Sequence, residues 1–183
     1  MNYLIWGLLF LFSINNASAD LPYELPSQKE ILKIRSAIIK TEKGDIFLRL
    51  FPKEAPIHTA NFKYLADKGF YNNIRVHIFL ENYLVQIGAP DINNLASGPN
   101  YSIPPEFNDL KHTRGRLSMV RKPDHLDLEH SRNSHGSQFR IILEDSFHMD
   151  GLYVVFAEII KGFEVARNLR KGDLIEKIEV FVK

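Results

Sequence analysis

From Ile46 to Phe51, aliphatic Ile46, Leu48 and Leu50 alternate without a break with Phe47, Arg49 and Phe51. A two-residue period sends successive side chains to opposite faces of a strand, so this segment cannot settle as a helix. Lys43-Gly44 just before it is placed to turn a hairpin. The same alternation returns near the end of the chain, in Ile178, Val180 and Val182. Only two stretches carry a helical period. Ile57, Ala60, Tyr64 and Leu65 follow Pro56, whose missing N–H costs nothing in a first turn, and Gly69 ends the run. Phe163, Ala166 and Leu169 share a second face, followed by cationic Arg167, Arg170 and Lys171 near the negative end of the dipole. Many short strands with two helices predict a mainly β fold, a closed antiparallel barrel.

The chain has 183 residues, enough for one well-buried domain and too few for two ordinary ones. It has no cysteine, which excludes disulfides, thiolate metal sites and a cysteine nucleophile. A formal charge of +1 gives no chain-wide field for nucleic acid or anionic lipid. Residues 1–19 read as a signal peptide. Leu4 to Phe12 is apolar and interrupted only by Gly7, and Ala17-Ser18-Ala19 offers a small-x-small cleavage site before Asp20. The run falls short of the roughly 20 apolar residues of a membrane span. Cleavage after Ala19 predicts a periplasmic or secreted protein; without cleavage the segment is a membrane tether. Residues 20–34, with Pro22 and Pro26, read as an extended N-terminal arm, and residues 35–182 as the folded domain.

The central motifs are His112-Thr113-Arg114-Gly115-Arg116-Leu117-Ser118-Met119 and Asn133-Ser134-His135-Gly136-Ser137-Gln138-Phe139-Arg140-Ile141. With Thr41 to Ile46, Ala55-Pro56, Asn61-Phe62, Gly69-Phe70-Tyr71, Tyr83 to Gln86, Gly98 to Phe107 and Asp150 to Phe156, they stand in a fixed order. In these landmarks the chain resembles the cyclophilins, the barrel-type peptidyl-prolyl cis-trans isomerases, in their bacterial exported form. The resemblance implies eight strands closed into a barrel capped by two helices, a monomer, no cofactor and no metal. Its implied partners are proline-containing polypeptide segments.

A prolyl bond turns slowly because its C–N bond is partly double, with a barrier of about 18–20 kcal/mol. A catalyst must hold the ring in an apolar pocket and donate a hydrogen bond to the prolyl nitrogen as it becomes pyramidal. In the family that donor is the arginine of a Phe-His-Arg motif. The matching residues here are Val76-His77-Ile78, so the donor position holds Ile78. The substrate-binding positions implied by the resemblance are His77, Tyr83, Leu84, Gln86, Val120, Arg121, Gln138, Met149 and Tyr153. His148 replaces the family's rim tryptophan, and Leu95-Ala96-Ser97-Gly98 its glycine-rich loop. The pocket-floor phenylalanine has become Arg140. Either the pocket has decayed and Arg140 is an ordinary surface arginine, or Ile78 and Arg140 have exchanged roles, one supplying apolar surface and the other the donor.

Lys122 to His135 holds Asp124, His125, Asp127, Glu129, His130 and His135, a set that reads as a solvated loop or, less simply, as ligands for a divalent metal. His58 and His112 read as structural or surface residues. The expected function is isomerisation of Xaa-Pro bonds in exported proteins at a reduced rate. The alternatives are a non-catalytic module that grips prolyl segments as a chaperone or adaptor, and a structural domain with a blocked cleft.

Overall fold

β1 (Ile34–Thr41) and β2 (Gly44–Leu50) form the hairpin that the alternation demands, with Ala37 opposite Leu48 and Ile39 opposite Ile46. The computed structural model of the chain describes residues 21–121 and 136–183; the signal-peptide segment and the 122–135 loop lie outside them. The turn residues are Glu42-Lys43, one position earlier than expected, because Thr41 pairs with Gly44. The other strands are β3 (Ile74–Arg75), β4 (Ile78–Leu80), β5 (Leu84–Ile87), β6 (Arg116–Met119), β7 (Phe139–Ile142), β8 (Val155–Lys161) and β9 (Leu174–Val182). They make one curled antiparallel sheet in the order β3-β9-β1-β2-β8-β6-β7-β5-β4.

Among the described residues the count is nine strands where eight were expected, and the reason lies in Ile74–Leu80. Its two halves sit at opposite ends of the sheet order, β3 on β9 and β4 on β5. Val76 and Phe79 both pack on the core, while His77 bonds to Gln138 and Ile78 lines the outer cleft. That is one residue more than a two-residue period allows, so the ladder slips, as at a bulge. The slip leaves two adjacent side chains, His77 and Ile78, on the functional face.

Three α-helices occur among the described residues, against the two expected: α1 (Gln28–Ile31), α2 (Pro56–Asp67) and α3 (Phe163–Asn168). α1 is a single turn inside the arm predicted to be extended. Ser27 and Glu30 form a reciprocal capping box there, and Tyr23 upstream stacks on Tyr64 of α2. The core is the inward set of the sheet plus one face of α2. Phe62 sits 5.3–5.6 Å, centroid to centroid, from Tyr71, Phe139 and Phe156.

α2 begins at Pro56 with no side-chain cap from Ala55. Its cap comes from far along the chain. The Glu106 carboxylate accepts the Ile57 and His58 backbone N–H groups, each at 2.8 Å, and lies 2.6 Å from His58 Nδ1. A carboxylate at a helix start satisfies orphan donors and opposes the dipole. Glu106→Ala is expected to lower stability by about 1–2 kcal/mol, read as a shift in the urea midpoint. An unchanged midpoint would contradict this capping role.

Candidate functional site

On β5 and β7, Val85, Ile87, Phe139 and Ile141 point into the core, so their neighbours Leu84, Gln86, Arg140 and Ile142 must face outward. Register places Ile78 opposite Gln86, Gln86 opposite Arg140, and Arg140 opposite Ser118. Directly opposed residues share a face. Ile78, Gln86, Arg140 and Ser118 therefore form one row across β4, β5, β7 and β6. One step along the same face, Leu80, Leu84 and Ile142 form an apolar row beside it.

A hydrogen-bonded chain runs through the polar row. Arg140 Nε donates to Gln86 Oε1 at 3.1 Å, and Gln86 Nε2 donates to Gln138 Oε1 at 2.9 Å. Gln138 Nε2 donates to the Leu95 and Ser97 carbonyls at 2.8 and 2.9 Å. Those carbonyls only accept, so the Gln138 amide has one orientation and its oxygen faces His77 Nε2 at 3.1 Å. His77 must therefore carry its proton on Nε2. Every link has a defined direction, ending on the backbone of the loop that replaces the family's glycine-rich segment.

The segment holding Gln138 is itself clamped. Asn61 Nδ2 donates to the Gly136 carbonyl at 2.8 Å, the Tyr71 hydroxyl to the Ser137 carbonyl at 3.1 Å, and Ser137 Oγ to the Gly88 carbonyl at 2.7 Å. Tyr101 Oη in turn donates to Asn61 Oδ1 at 2.5 Å. A cleft of about 670 Å³ opens over the row and the 95–102 loop, with Val120 and Arg121 along one edge.

The remaining expected residues surround the apolar end. Tyr83, in the turn before β5, stacks on His148 at 5.9 Å, with its hydroxyl 3.0 Å from His148 Nε2 and 3.9 Å from Met149 Sδ. His148 and Met149 lie on a 3-10 turn, Phe147–Met149, and Met149 is buried. Tyr153 lies under the Arg140 guanidinium, 4.6 Å from ring centroid to Cζ, and Arg121 approaches the same ring at 5.3 Å. Arg140 is thus no loose surface arginine: it is half-buried, bonded to Gln86 and stacked on an aromatic face. Residues to which the sequence assigned no site role are Ser118, which completes the row with a buried hydroxyl, and Asn61, Tyr71, Tyr101 and Gly88, which hold Gln138 in place. Ser118 was visible as a residue in phase with Val120; Asn61, Tyr71 and Tyr101 stood in the family landmarks, but nothing local tied them to Gln138.

His58 and His112 are both fully buried rather than on the surface. His112 Nδ1 lies 2.9 Å from Asp150 Oδ1, as His58 does against Glu106. Burial holds His77 and His112 below their ordinary value of 6.5, against the opposing pull of their hydrogen-bond partners. Below pH 6.5 the unfolded chain therefore takes up protons that the folded chain still refuses. Stability from these two groups is complete above that value and declines as pH falls through it. The urea midpoint is expected to be level above about pH 7 and lower at about pH 5.5. A midpoint that rises on acidification would contradict the assignment.

The arrangement offers an open cleft, an amide row fixed in direction and a guanidinium beside it. Comparison with known proteins agrees. Residues 36–181 match the family model described as cyclophilin type peptidyl-prolyl cis-trans isomerase/CLD. A peptidyl-prolyl cis-trans isomerase of Synechococcus elongatus is 38% identical over 79% of this chain and 94% of its own length. One from Helicobacter pylori is 36% identical over 85% and 92%. The crystal structure of a cyclophilin type peptidyl-prolyl cis-trans isomerase from Cryptosporidium parvum superposes with a TM-score of 0.71 at 26% identity, covering 82% of this chain and 99% of its own. The same protein crystallised in the presence of the dipeptide Ala-Pro gives 0.70 at 26% identity, covering 81% and 100%. Sequence match, fold and cleft together show that the chain belongs to the cyclophilin-type peptidyl-prolyl cis-trans isomerase family.

Proposed function

We propose that this chain is a peptidyl-prolyl cis-trans isomerase in which the hydrogen-bond donor to the prolyl nitrogen has moved from the position of Ile78 to Arg140. One observation carries the reading. Ile78, Gln86 and Arg140 lie in register in a single row, and Arg140 directs its Nε into Gln86 Oε1, toward the Ile78 end. The two positions are two strands apart, about 9–10 Å between backbones, with only Gln86 between them. The proline ring sits in the cleft beside the row, where Ile78, Leu95 and Val120 supply apolar lining. As the C–N bond twists, the nitrogen lone pair localises and accepts an N–H from the guanidinium; no covalent bond breaks. Arginine suits this because it stays charged and carries further donors after binding Gln86.

The moved donor approaches from a different strand, so the rate falls below that of relatives with the arginine in place. The substrates are Xaa-Pro segments of exported polypeptides, a reading supported by the apolar run before Ala17-Ser18-Ala19 and by the near-neutral charge. Catalytic amounts of the protein should speed cis/trans exchange of a short Xaa-Pro peptide in NMR exchange spectra. Shift changes without faster exchange would replace this reading with that of a binding module, the alternative that Ile78 favours.

A further inference from the structure

Ala37 and Leu48 pair in the core, so Ser36 and Arg49 beside them face outward. Register adds Phe181 of β9 and Glu158 of β8 to the same outward row. The next outward row is Glu179, Ile38, Phe47 and Lys161. Between the two rows β8 carries an extra residue. Lys161 pairs with Phe47 and Ile159 with Leu48, which leaves Ile160 as a bulge. At 60% exposure Ile160 is more open than any other large apolar side chain among the described residues, and Phe181 is 42% exposed.

A groove of about 460 Å³ opens on this face, with Leu32, Phe51 and Ile160 as apolar lining. Its cationic side chains are Arg35, Arg49, Lys53 and Lys183, against the acid of Glu54. Arg49 is paired with Glu158, while Arg35 uses one donor on the Leu32 carbonyl at 2.8 Å. The Lys53 and Lys183 ammonium groups have no hydrogen bond or ion pair among the described residues. Glu179 on the next row is held by Lys40 and Lys177 at 3.3 and 2.6 Å. The chain-wide charge of +1 thus hides a local positive excess. No residue of this groove lines the isomerase cleft.

We propose that this face docks the protein on an anionic lipid surface, with Ile160 and Phe181 entering the headgroup region and Arg35, Lys53 and Lys183 meeting the phosphates. Exposed apolar tips supply depth in such an interface, and long cations supply attraction to negative headgroups while their stems lie along apolar surface. A second copy is a poorer occupant, because a two-fold contact brings the same cations face to face. The chain enters the domain at the edge of the groove, since α1 ends at Ile31 and Leu32 lines it. Ahead on the same chain stands the apolar run Leu4 to Phe12, whose reading as a signal peptide takes the chain to a membrane.

The chain has no cysteine, so Ile160→Cys gives a single attachment point for an environment-sensitive fluorophore. The labelled full chain is mixed with vesicles of phosphatidylcholine, alone or with phosphatidylglycerol. A blue shift is expected with phosphatidylglycerol, reversed in about 1 M salt, where the screening length is about 3 Å. Each cation near an anionic surface contributes about fivefold to partitioning, so Arg35→Gln together with Lys53→Gln should weaken the response about 25-fold. A label at Leu152→Cys, outside the face, reads any binding through the apolar run alone and should shift less. Equal shifts with and without phosphatidylglycerol, equal shifts at Ile160 and Leu152, or no shift at all would each overturn the proposal. A shift that grows with protein concentration in the absence of lipid gives the face to a second copy. A shift with polyglutamate but not with vesicles gives it to an acidic protein, and either result overturns the lipid reading.

Discussion

Replacing Arg140 with alanine is expected to lower kcat/KM for Xaa-Pro exchange by about 10²–10³-fold, or about 2.7–4 kcal/mol, the usual loss when one positioned transition-state donor is deleted. The backbone of β7 should hold, because Phe139 and Ile141 on either side keep their places in the core and Arg140 itself faces outward. Gln86 Oε1 loses its donor but stays beside the open cleft, where water can replace it. Arg140→Lys keeps the charge and loses the fork, so its activity should fall between the two. The measurement is NMR exchange spectroscopy, with thermal unfolding as the control for fold. Equal activity in the alanine variant and the parent would mean that Arg140 is not the donor.

Gly88→Ala is expected to be the most damaging single-methyl change among the glycines beside the cleft. At Gly88 φ is +103°, a backbone conformation that strains any residue with a side chain. Space is lacking too, since an added Cβ would sit 2.3 Å from the Ser137 carbonyl oxygen and 2.8 Å from Gln138 Cα. Both are backbone atoms, so no rotamer change relieves the clash. Strain and overpacking together predict a loss of about 2–6 kcal/mol, a large part of the 5–15 kcal/mol typical of a domain. The displaced segment carries Gln138, so the amide row should loosen as well. A urea titration should show the midpoint drop, and peptide binding should weaken in whatever fraction stays folded. A parent-like midpoint would mean that β5 and the 136–138 segment are less tightly packed than described.

What was legible in the sequence follows from the range of each interaction. The β1–β2 hairpin and β9 announce themselves because alternation is local, and α2 because Pro56 and Gly69 bracket its period. The nine-strand count was not legible, because the slip at His77-Ile78 shows only when both β9 and β5 are in place to pair with the two halves. The turn inside the arm was missed because two prolines outweighed the capping pair of Ser27 and Glu30 three residues later. At the site, the substitutions at Ile78 and Arg140 were visible one by one through the family resemblance. Their common row was not, since it depends on the register of β4, β5 and β7. The cap on α2 is beyond any local pattern, with Glu106 and His58 48 residues apart.

The central claim is that the donor moved along one row of side chains, and exchanging the residues back tests it most directly. Exchange of one Xaa-Pro peptide would be compared for the parent, Arg140→Phe, and the double variant Ile78→Arg with Arg140→Phe. The account predicts acceleration by the parent, loss of about 10²-fold or more in Arg140→Phe, and recovery in the double variant. An Arg140→Phe protein that catalyses as fast as the parent would contradict it.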